Sequence, residues 1–265
     1  MKLVLRLYEQ QDSLPKNNGI LNRPSIRIIV GSDDFHIRVF NYNTMEKIKE
    51  FEAHTDFIRT LAVHPSLPIV FSSSDDFSIK MWDWEKNWES TKFEGHTHFV
   101  MWLSINPKDL NTFASASLDR SIKVWGISTP GKALYSLLGH ELGVNSVDYC
   151  SQGDKPYLVS GSDDYTVKIW DYQTKICLAT LEGHKDNVSS VLFHPDLPVI
   201  ISTSEDNSVR IWNSMSFKLE STLDYNMERA WCTNALKETS LVALGYDEGT
   251  VVIKLGSDYP LADFS

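Results

Sequence analysis

Cysteine is scarce: Cys150, Cys177 and Cys232 are the only three in a chain of 265 residues. Their odd number and their spacings match no disulfide framework and no thiolate metal site. Reduced structural thiols of a cytosolic protein are expected, with no metal and no cofactor. Long apolar runs are absent too. No stretch reaches the roughly 18 apolar residues of a membrane-spanning helix, so any membrane role is expected to be peripheral. The first residues, MKLVLRLYEQ, are interrupted by Arg6 and lack the features of a secretory leader. Positive charge is in deficit. Lys and Arg number 25 against 35 Asp and Glu, a formal charge of -10, which argues against nucleic acid and favours basic partners. No segment carries a convincing helical period, and no Gly-rich phosphate loop occurs.

What is present is a repeat. GSDDFHIRVFNY from Gly31, SSDDFSIKMWDW from Ser73, ASLDRSIKVWGI from Ala116, GSDDYTVKIWDY from Gly161, TSEDNSVRIWNS from Thr203 and LGYDEGTVVIKL from Leu244 share one aspartate. It is Asp34, Asp76, Asp119, Asp164, Asp206 and Asp247, at steps of 42, 43, 45, 42 and 41 residues. A second signature, Ala-His at His54 and Gly-His at His96, His140 and His184, keeps step. Each unit reads as four short strands rich in β-branched residues, bounded by Asp and Gly turns. The expected fold is all-β, a WD40 β-propeller with six recognisable repeats of four-stranded antiparallel blades, since such repeats run about 40 to 45 residues.

Resemblance to WD repeats implies a four-membered network within a blade, made by the Gly-His histidine, the turn aspartate, a second-strand Ser and a third-strand Trp. On this chain the sets are His54, Ser72, Asp76, Trp82; His96, Ser115, Asp119, Trp125; His140, Ser160, Asp164, Trp170; and His184, Ser202, Asp206, Trp212. A Ser-His-Asp set repeated in every complete blade is structural, so no catalytic residue is assigned and an enzyme is not expected.

The residue before each shared aspartate varies: Asp33, Asp75, Leu118, Asp163, Glu205, Tyr246. Folding therefore does not demand a carboxylate there. The loop AHTDFIR brings Asp56 and Arg59 to the same end of the blade as Asp75, because His54 and Asp76 must meet. Asp33, Asp163 and Glu205 fall on the same rim. Solvated turn aspartates are the bland explanation; a rim that attracts a cationic peptide is the sharper one. Arg38, Lys80, Lys123, Lys168 and Arg210 form a stripe, one per third strand, read as solubility and edge protection. Trp102 and Arg229 either reach the central channel or pack and bond locally.

The segments IRVFNYNT, FEAHTDFIR, KMWDWEKNW, FEGHTHFVM, NPKD, FASASLDRSIKVW, GDKPYLVSGSDD, FHPDLPVIISTSED, MERAWC and GYDEGT run in one order. In that order they resemble the amino-terminal propeller of the coatomer beta-prime family over residues 27 to 256. The resemblance implies a vesicle-coat protein of Golgi-to-ER and intra-Golgi transport, cytoplasmic and peripheral to Golgi membranes and vesicle coats. It also implies recognition of carboxy-terminal dilysine signals on the lysine-rich cytosolic tails of membrane cargo by Asp56, Asp75 and Asp163. The chain departs from that pattern. The family's first blade, whose Arg and Lys hold the peptide's terminal carboxylate, has no counterpart, and neither do the helical repeats that follow the propellers. A truncated WD scaffold making protein contacts without dilysine selection is therefore the alternative, in which stable assembly with other coatomer subunits is not expected. The segment Lys2 to Tyr8 alternates and is expected to close the last blade as its outer strand. Residues 1–26 are thus read as closing strand plus irregular loop, 27–256 as propeller and 257–265 as tail. Either a six-bladed ring or a seven-blade geometry with a gap is compatible with the sequence.

Overall fold

The computed structural model describes residues 3–10 and 25–256. Among them there are only strands, gathered into six sheets. The first blade is Leu3–Gln10 (β1), Ser25–Ser32 (β2), His36–Asn41 (β3) and Lys47–Glu52 (β4). The second is Ile58–Val63 (β5), Ile69–Ser74 (β6), Ile79–Asp83 (β7) and Glu89–Phe93 (β8). The third is Val100–Ile105 (β9), Thr112–Ser117 (β10), Ser121–Gly126 (β11) and Tyr135–Leu138 (β12). The fourth is Val144–Tyr149 (β13), Tyr157–Ser162 (β14), Val167–Asp171 (β15) and Ile176–Leu181 (β16). The fifth is Val188–Phe193 (β17), Val199–Ser204 (β18), Ser208–Asn213 (β19) and Leu219–Asp224 (β20). The last has three strands, Ala230–Ala235 (β21), Leu241–Tyr246 (β22) and Gly249–Lys254 (β23). The fold is a six-bladed β-propeller.

Two expectations need correcting. The outer place in the last blade is not where the N-terminal segment lies. β1 pairs antiparallel with β2 along its whole length, from Leu3 opposite Ser32 to Gln10 opposite Ser25, and so occupies the inner position of the first blade. The reason is the hydrogen-bond ledger of β2. A second strand must be paired on both edges, and without β1 the N–H and C=O groups on its inner edge would be orphaned. The last blade is consequently three-stranded among the described residues, not four-stranded. Of the loop expected over residues 9–25, Glu9 and Gln10 belong instead to β1 and Ser25 to β2, while 11–24 and the tail 257–265 lie outside the described residues.

The core sits between blades, because each sheet is apolar on both faces. The second strands β6 and β18 are buried at every position. Phe71, Phe93, Phe113 and Trp125 fill one interblade layer, with Val159, Val167, Val188 and Val191 in another. Gly161 shows how tight this is: a Cβ there would stand 2.5 Å from Val188 Cγ1. β22 differs. Its burial alternates, with Val242, Leu244 and Tyr246 buried against the fifth blade while Leu241, Ala243 and Gly245 are only partly covered. Packing between successive blades runs from the first to the last, and nothing comparable joins the last blade back to the first among the described residues. Among the described residues the propeller is therefore an open arc, and one face of the last blade is covered by no other blade.

The inner strands surround a central channel of about 570 Å³. Its wall includes Trp102 and Ser104 from β9, Asp148 from β13, Asn234 from β21, and Ala243 and Thr250 from the uncovered face of the last blade. Asp148 links three blades there: Ser104 Oγ donates to it at 3.1 Å and Phe193 N–H at 3.0 Å. The apolar wall pushes its carboxyl up to about 7, against those hydrogen bonds.

Candidate peptide-binding face

In the second blade His54 Nδ1 lies 2.8 Å from Asp76 Oδ2, and His54 Nε2 lies 2.7 Å from Ser72 Oγ. Trp82 Nε1–H donates to the same hydroxyl at 2.9 Å. One proton arrangement satisfies every atom: Trp N–H to Ser oxygen, Ser O–H to Nε2, and Nδ1–H to the carboxylate. It requires a neutral imidazole, in agreement with burial, which holds His54, His96 and His140 below the ordinary histidine value. The same chain of bonds occurs at His96, Ser115, Asp119 and Trp125. It recurs at His140, Ser160, Asp164 and Trp170, and at His184, Ser202, Asp206 and Trp212.

Burial alone would raise the four turn aspartates. The histidine, the turn hydroxyl at Ser78, Ser121, Thr166 or Ser208, and backbone N–H groups outweigh it and hold each well below the usual carboxylate range. Every Ser hydroxyl in these sets is buried and already receives the indole N–H, so no substrate can reach it. These sets brace the blades.

The terminal blades lack this network, and their aspartates turn to arginine. Asp34 binds Arg38 and the Ser32 hydroxyl, and Asp247 accepts from Arg229 Nε at 2.9 Å and Trp231 Nε1 at 2.7 Å. Arg229 is therefore fixed on the rim rather than in the channel, whereas Trp102 does line the channel. In the third-strand stripe the cations reach neighbouring oxygens: Lys80 the Ala53 carbonyl, Lys123 Ser136, Lys168 Thr180, and Arg210 the Gly183 carbonyl.

All the turns lie at one end of the disc, because one backbone stitch recurs. Asp75 N–H donates to the Phe57 carbonyl at 3.0 Å, Asp163 to Gly143 at 2.9 Å, and Glu205 to Asn187 at 2.9 Å. Asp56 is adjacent to Asp75, since Ser74 Oγ donates to the Asp56 carbonyl at 3.1 Å. The structure thus brings Asp56, Asp75 and Arg59 together, with Asp33 close enough to act on the charge of Arg59.

The state of these acids differs from the expectation of an open rim. Asp75 is only 4% exposed, and Arg59 grips both of its oxygens, with Nε donating to Oδ1 at 2.6 Å and Nη2 donating to Oδ2. Asp75 is therefore a buried half of an ion pair, not a solvent-facing acid. Asp163, half-buried, accepts from Asn145 Nδ2 at 2.7 Å. Glu205 accepts from Asn187 Nδ2 at 3.0 Å and lies 3.7 Å from Arg229. Asp56, half-buried, accepts from the N–H of Phe57.

The sequence reading missed why these partners exist. Each inner strand from β5 to β21 carries a bulge beside its second strand. The residue skipped by the ladder is Arg59, Met101, Asn145, Ser189 or Trp231. A bulge re-aims a side chain. Arg59 meets Asp75, Asn145 meets Asp163, and Trp231 meets Asp247 in this way. Where the turn residue is Leu118, the bulge residue is the apolar Met101. The pairing of types between bulge and turn was the available signal.

Aromatic side chains were missed as well. Phe35, Phe77 and Tyr165 follow the doubled aspartate in the left-handed region, at φ of 71°, 68° and 67°, a conformation unfavourable for bulky residues. Phe77 is 43% and Phe57 40% exposed. Arg59 lies between the rings of Phe57 and Phe99, 5.7 and 5.8 Å from their centroids. Around Arg59 the face is an acidic and aromatic surface enclosing a clamped guanidinium.

Comparison with known proteins agrees with this architecture. The family model for "WD domain, G-beta repeat" matches residues 45–83, 88–126, 131–171 and 175–213. Each match covers the outer strand of one blade and three strands of the next, and the four matches end at the four blades that hold a complete His-Ser-Asp-Trp network. The chain is similar to coatomer subunit beta'-1 of Arabidopsis thaliana, 58% identical over 155 residues, which is 58% of this chain and 17% of that protein. It is similar to coatomer subunit beta' of Rattus norvegicus, 59% identical over 58% of this chain and 17% of that protein. It also resembles a probable coatomer subunit beta' of Schizosaccharomyces pombe, 49% identical over 58% of this chain and 19% of that protein. The match thus spans under a fifth of these relatives' length. With the family model over more than half of its residues and the blade network repeated four times, the chain belongs to the WD-repeat family.

Proposed function

We propose that this chain is a coatomer-like vesicle-coat protein whose rim binds carboxy-terminal dilysine signals on membrane cargo in Golgi-to-ER and intra-Golgi transport. It would work in the cytoplasm, peripheral to Golgi membranes and vesicle coats, alongside other coatomer subunits. The observation that carries the reading is the gathering of Asp33, Asp56 and Asp75 around a single Arg59, in a chain 58% identical to a coatomer subunit beta' over its matched part. Asp56 and Asp75 against one guanidinium leave net negative charge beside exposed aromatic rings. A lysine ammonium is attracted to both.

The roles divide by accessibility. Asp56 would meet the first ammonium directly. Asp163 would take a second, sharing its carboxylate with Asn145. Asp75 would act through its charge and by fixing Arg59. A contact at 4 Å is worth roughly 4 kcal/mol at an effective dielectric near 20, most of it offset by desolvation.

The clamping of Asp75 by Arg59 favours a second reading, in which the face is a scaffold surface without lysine selection. Titration of the purified protein with a peptide ending Lys-Lys-X-X, with free and amidated ends, separates the two. Dilysine recognition predicts binding that needs both lysines and is lost on Asp56→Asn. Equal binding of any basic peptide, fading as salt is raised, would leave the scaffold reading.

A further inference from the structure

Asp56, Asp75, Asp163 and Glu205 each engage at least one carboxylate oxygen inside the protein. Asp75 gives both oxygens to Arg59, Oδ1 to Nε and Oδ2 to Nη2. Asp56 Oδ1 accepts the Phe57 N–H at 2.8 Å, Asp163 Oδ1 accepts from Asn145 Nδ2 at 2.7 Å, and Glu205 Oε1 accepts from Asn187 Nδ2 at 3.0 Å. Arg59 also fills the space between two rings, its guanidinium carbon 5.7 Å from the Phe57 centroid and 5.8 Å from that of Phe99.

Lysine and arginine place different demands on such a surface. A guanidinium binds best as a planar fork, with parallel N–H bonds to both oxygens of one carboxylate, and it stacks on aromatic faces. An ammonium is a compact charge whose three donors rotate freely, so it can take one acceptor position from each of several groups. A carboxylate has roughly four such positions, and one that already holds an internal N–H keeps room for a single donor more readily than for a fork. At Asp75 and between the two rings, the place that suits a ligand arginine is held by the chain's own arginine. Both ligands carry one positive charge, so any discrimination between them comes from this geometry.

We propose, resting on the lysine-binding reading above, that Arg59 is a specificity-determining residue of this face. By holding the forked edge of Asp75 and the slot between Phe57 and Phe99, it admits lysine ammonium and turns away arginine guanidinium.

Peptides of equal charge, ending Lys-Lys-X-X and Arg-Arg-X-X, test this by titration into the purified protein and into Arg59→Ala. Equal charge cancels the long-range attraction and its salt dependence. The wild-type protein should bind the lysine peptide about tenfold or more tightly, the equivalent of one charged hydrogen bond. In Arg59→Ala the preference should vanish or reverse. Arg59→Lys keeps the buried pair charged but releases one Asp75 oxygen, and its preference should be intermediate. Small cations give a second readout that needs no peptide. Methylguanidinium should refill the vacated slot and raise the thermal midpoint of Arg59→Ala more than methylammonium at the same concentration, with no such difference in the wild-type protein. An unchanged lysine preference in both variants would overturn the proposal, as would equal effects of the two cations on Arg59→Ala. Wild-type protein that binds neither peptide would instead refute the lysine-binding reading, and the small cations alone would then decide whether Arg59 fills a guanidinium slot.

Discussion

Ser115→Ala removes one oxygen from the middle of the third blade and no apolar contact. Ser115 is fully buried, as is Trp125, whose Nε1–H donates to that oxygen at 2.8 Å. His96 Nε2 lies 2.6 Å from it on the other side. The substitution therefore orphans two buried polar groups at once. An unsatisfied buried donor or acceptor costs roughly 1–3 kcal/mol, so the expected loss is about 3 kcal/mol, a large part of a typical 5–15 kcal/mol stability. Urea unfolding followed by circular dichroism measures it as a shift in midpoint at unchanged slope. The companion variant is Ser115→Ala with Trp125→Phe, which deletes the orphaned N–H as well. Its cost should fall short of the sum of the two single variants by about 1 kcal/mol. The terminal blades show that an all-apolar version is viable: Val30 and Phe40, or Leu244 and Ile253, stand at the Ser and Trp positions. A single-variant loss under about 0.5 kcal/mol would refute the account of the network as a mutually satisfying chain.

Arg59→Met leaves Asp75 buried and unpaired, with an expected cost of about 3–5 kcal/mol in the same unfolding assay. Gly161→Ala forces a Cβ against Val188 and should cost about 1–3 kcal/mol, read as a lower thermal midpoint. Acid should destabilise the fold in two steps. Burial lowers His54, His96 and His140, so their contribution is present above about 6.5 and is lost as pH falls below that unfolded value. The lowered Asp76, Asp119, Asp164 and Asp206 contributions are lost below about 4. Asp148 runs the other way: with its carboxyl raised to about 7, its contribution is present at low pH and lost as pH rises through that value. Asp148→Asn should therefore steepen the decline in urea midpoint between pH 7 and pH 5.

The architecture was legible because it is written in a period. Six aspartates at near-constant steps and four histidines in phase with them set the strands, the turns and the bracing networks, since each blade solves the same burial problem with the same side chains. The doubled aspartate was legible only in its second member, whose histidine partner is itself a repeated letter. The first member depends on a bulge in the strand before it, and a bulge leaves no fixed spacing. Whether Asp75 faces water or Arg59 is settled by which residue the ladder skips. The place of the N-terminal strand was likewise beyond local pattern. Alternation marks Lys2 to Tyr8 as a strand, but two edges competed for it, and the inner edge of β2 took it because leaving that edge bare would orphan more backbone. The residue types and their period set what each blade is, while tertiary structure alone decided which edges are covered and which acids are clamped. Those outcomes turn on partners brought together from different strands, and no single strand's sequence contains its neighbour.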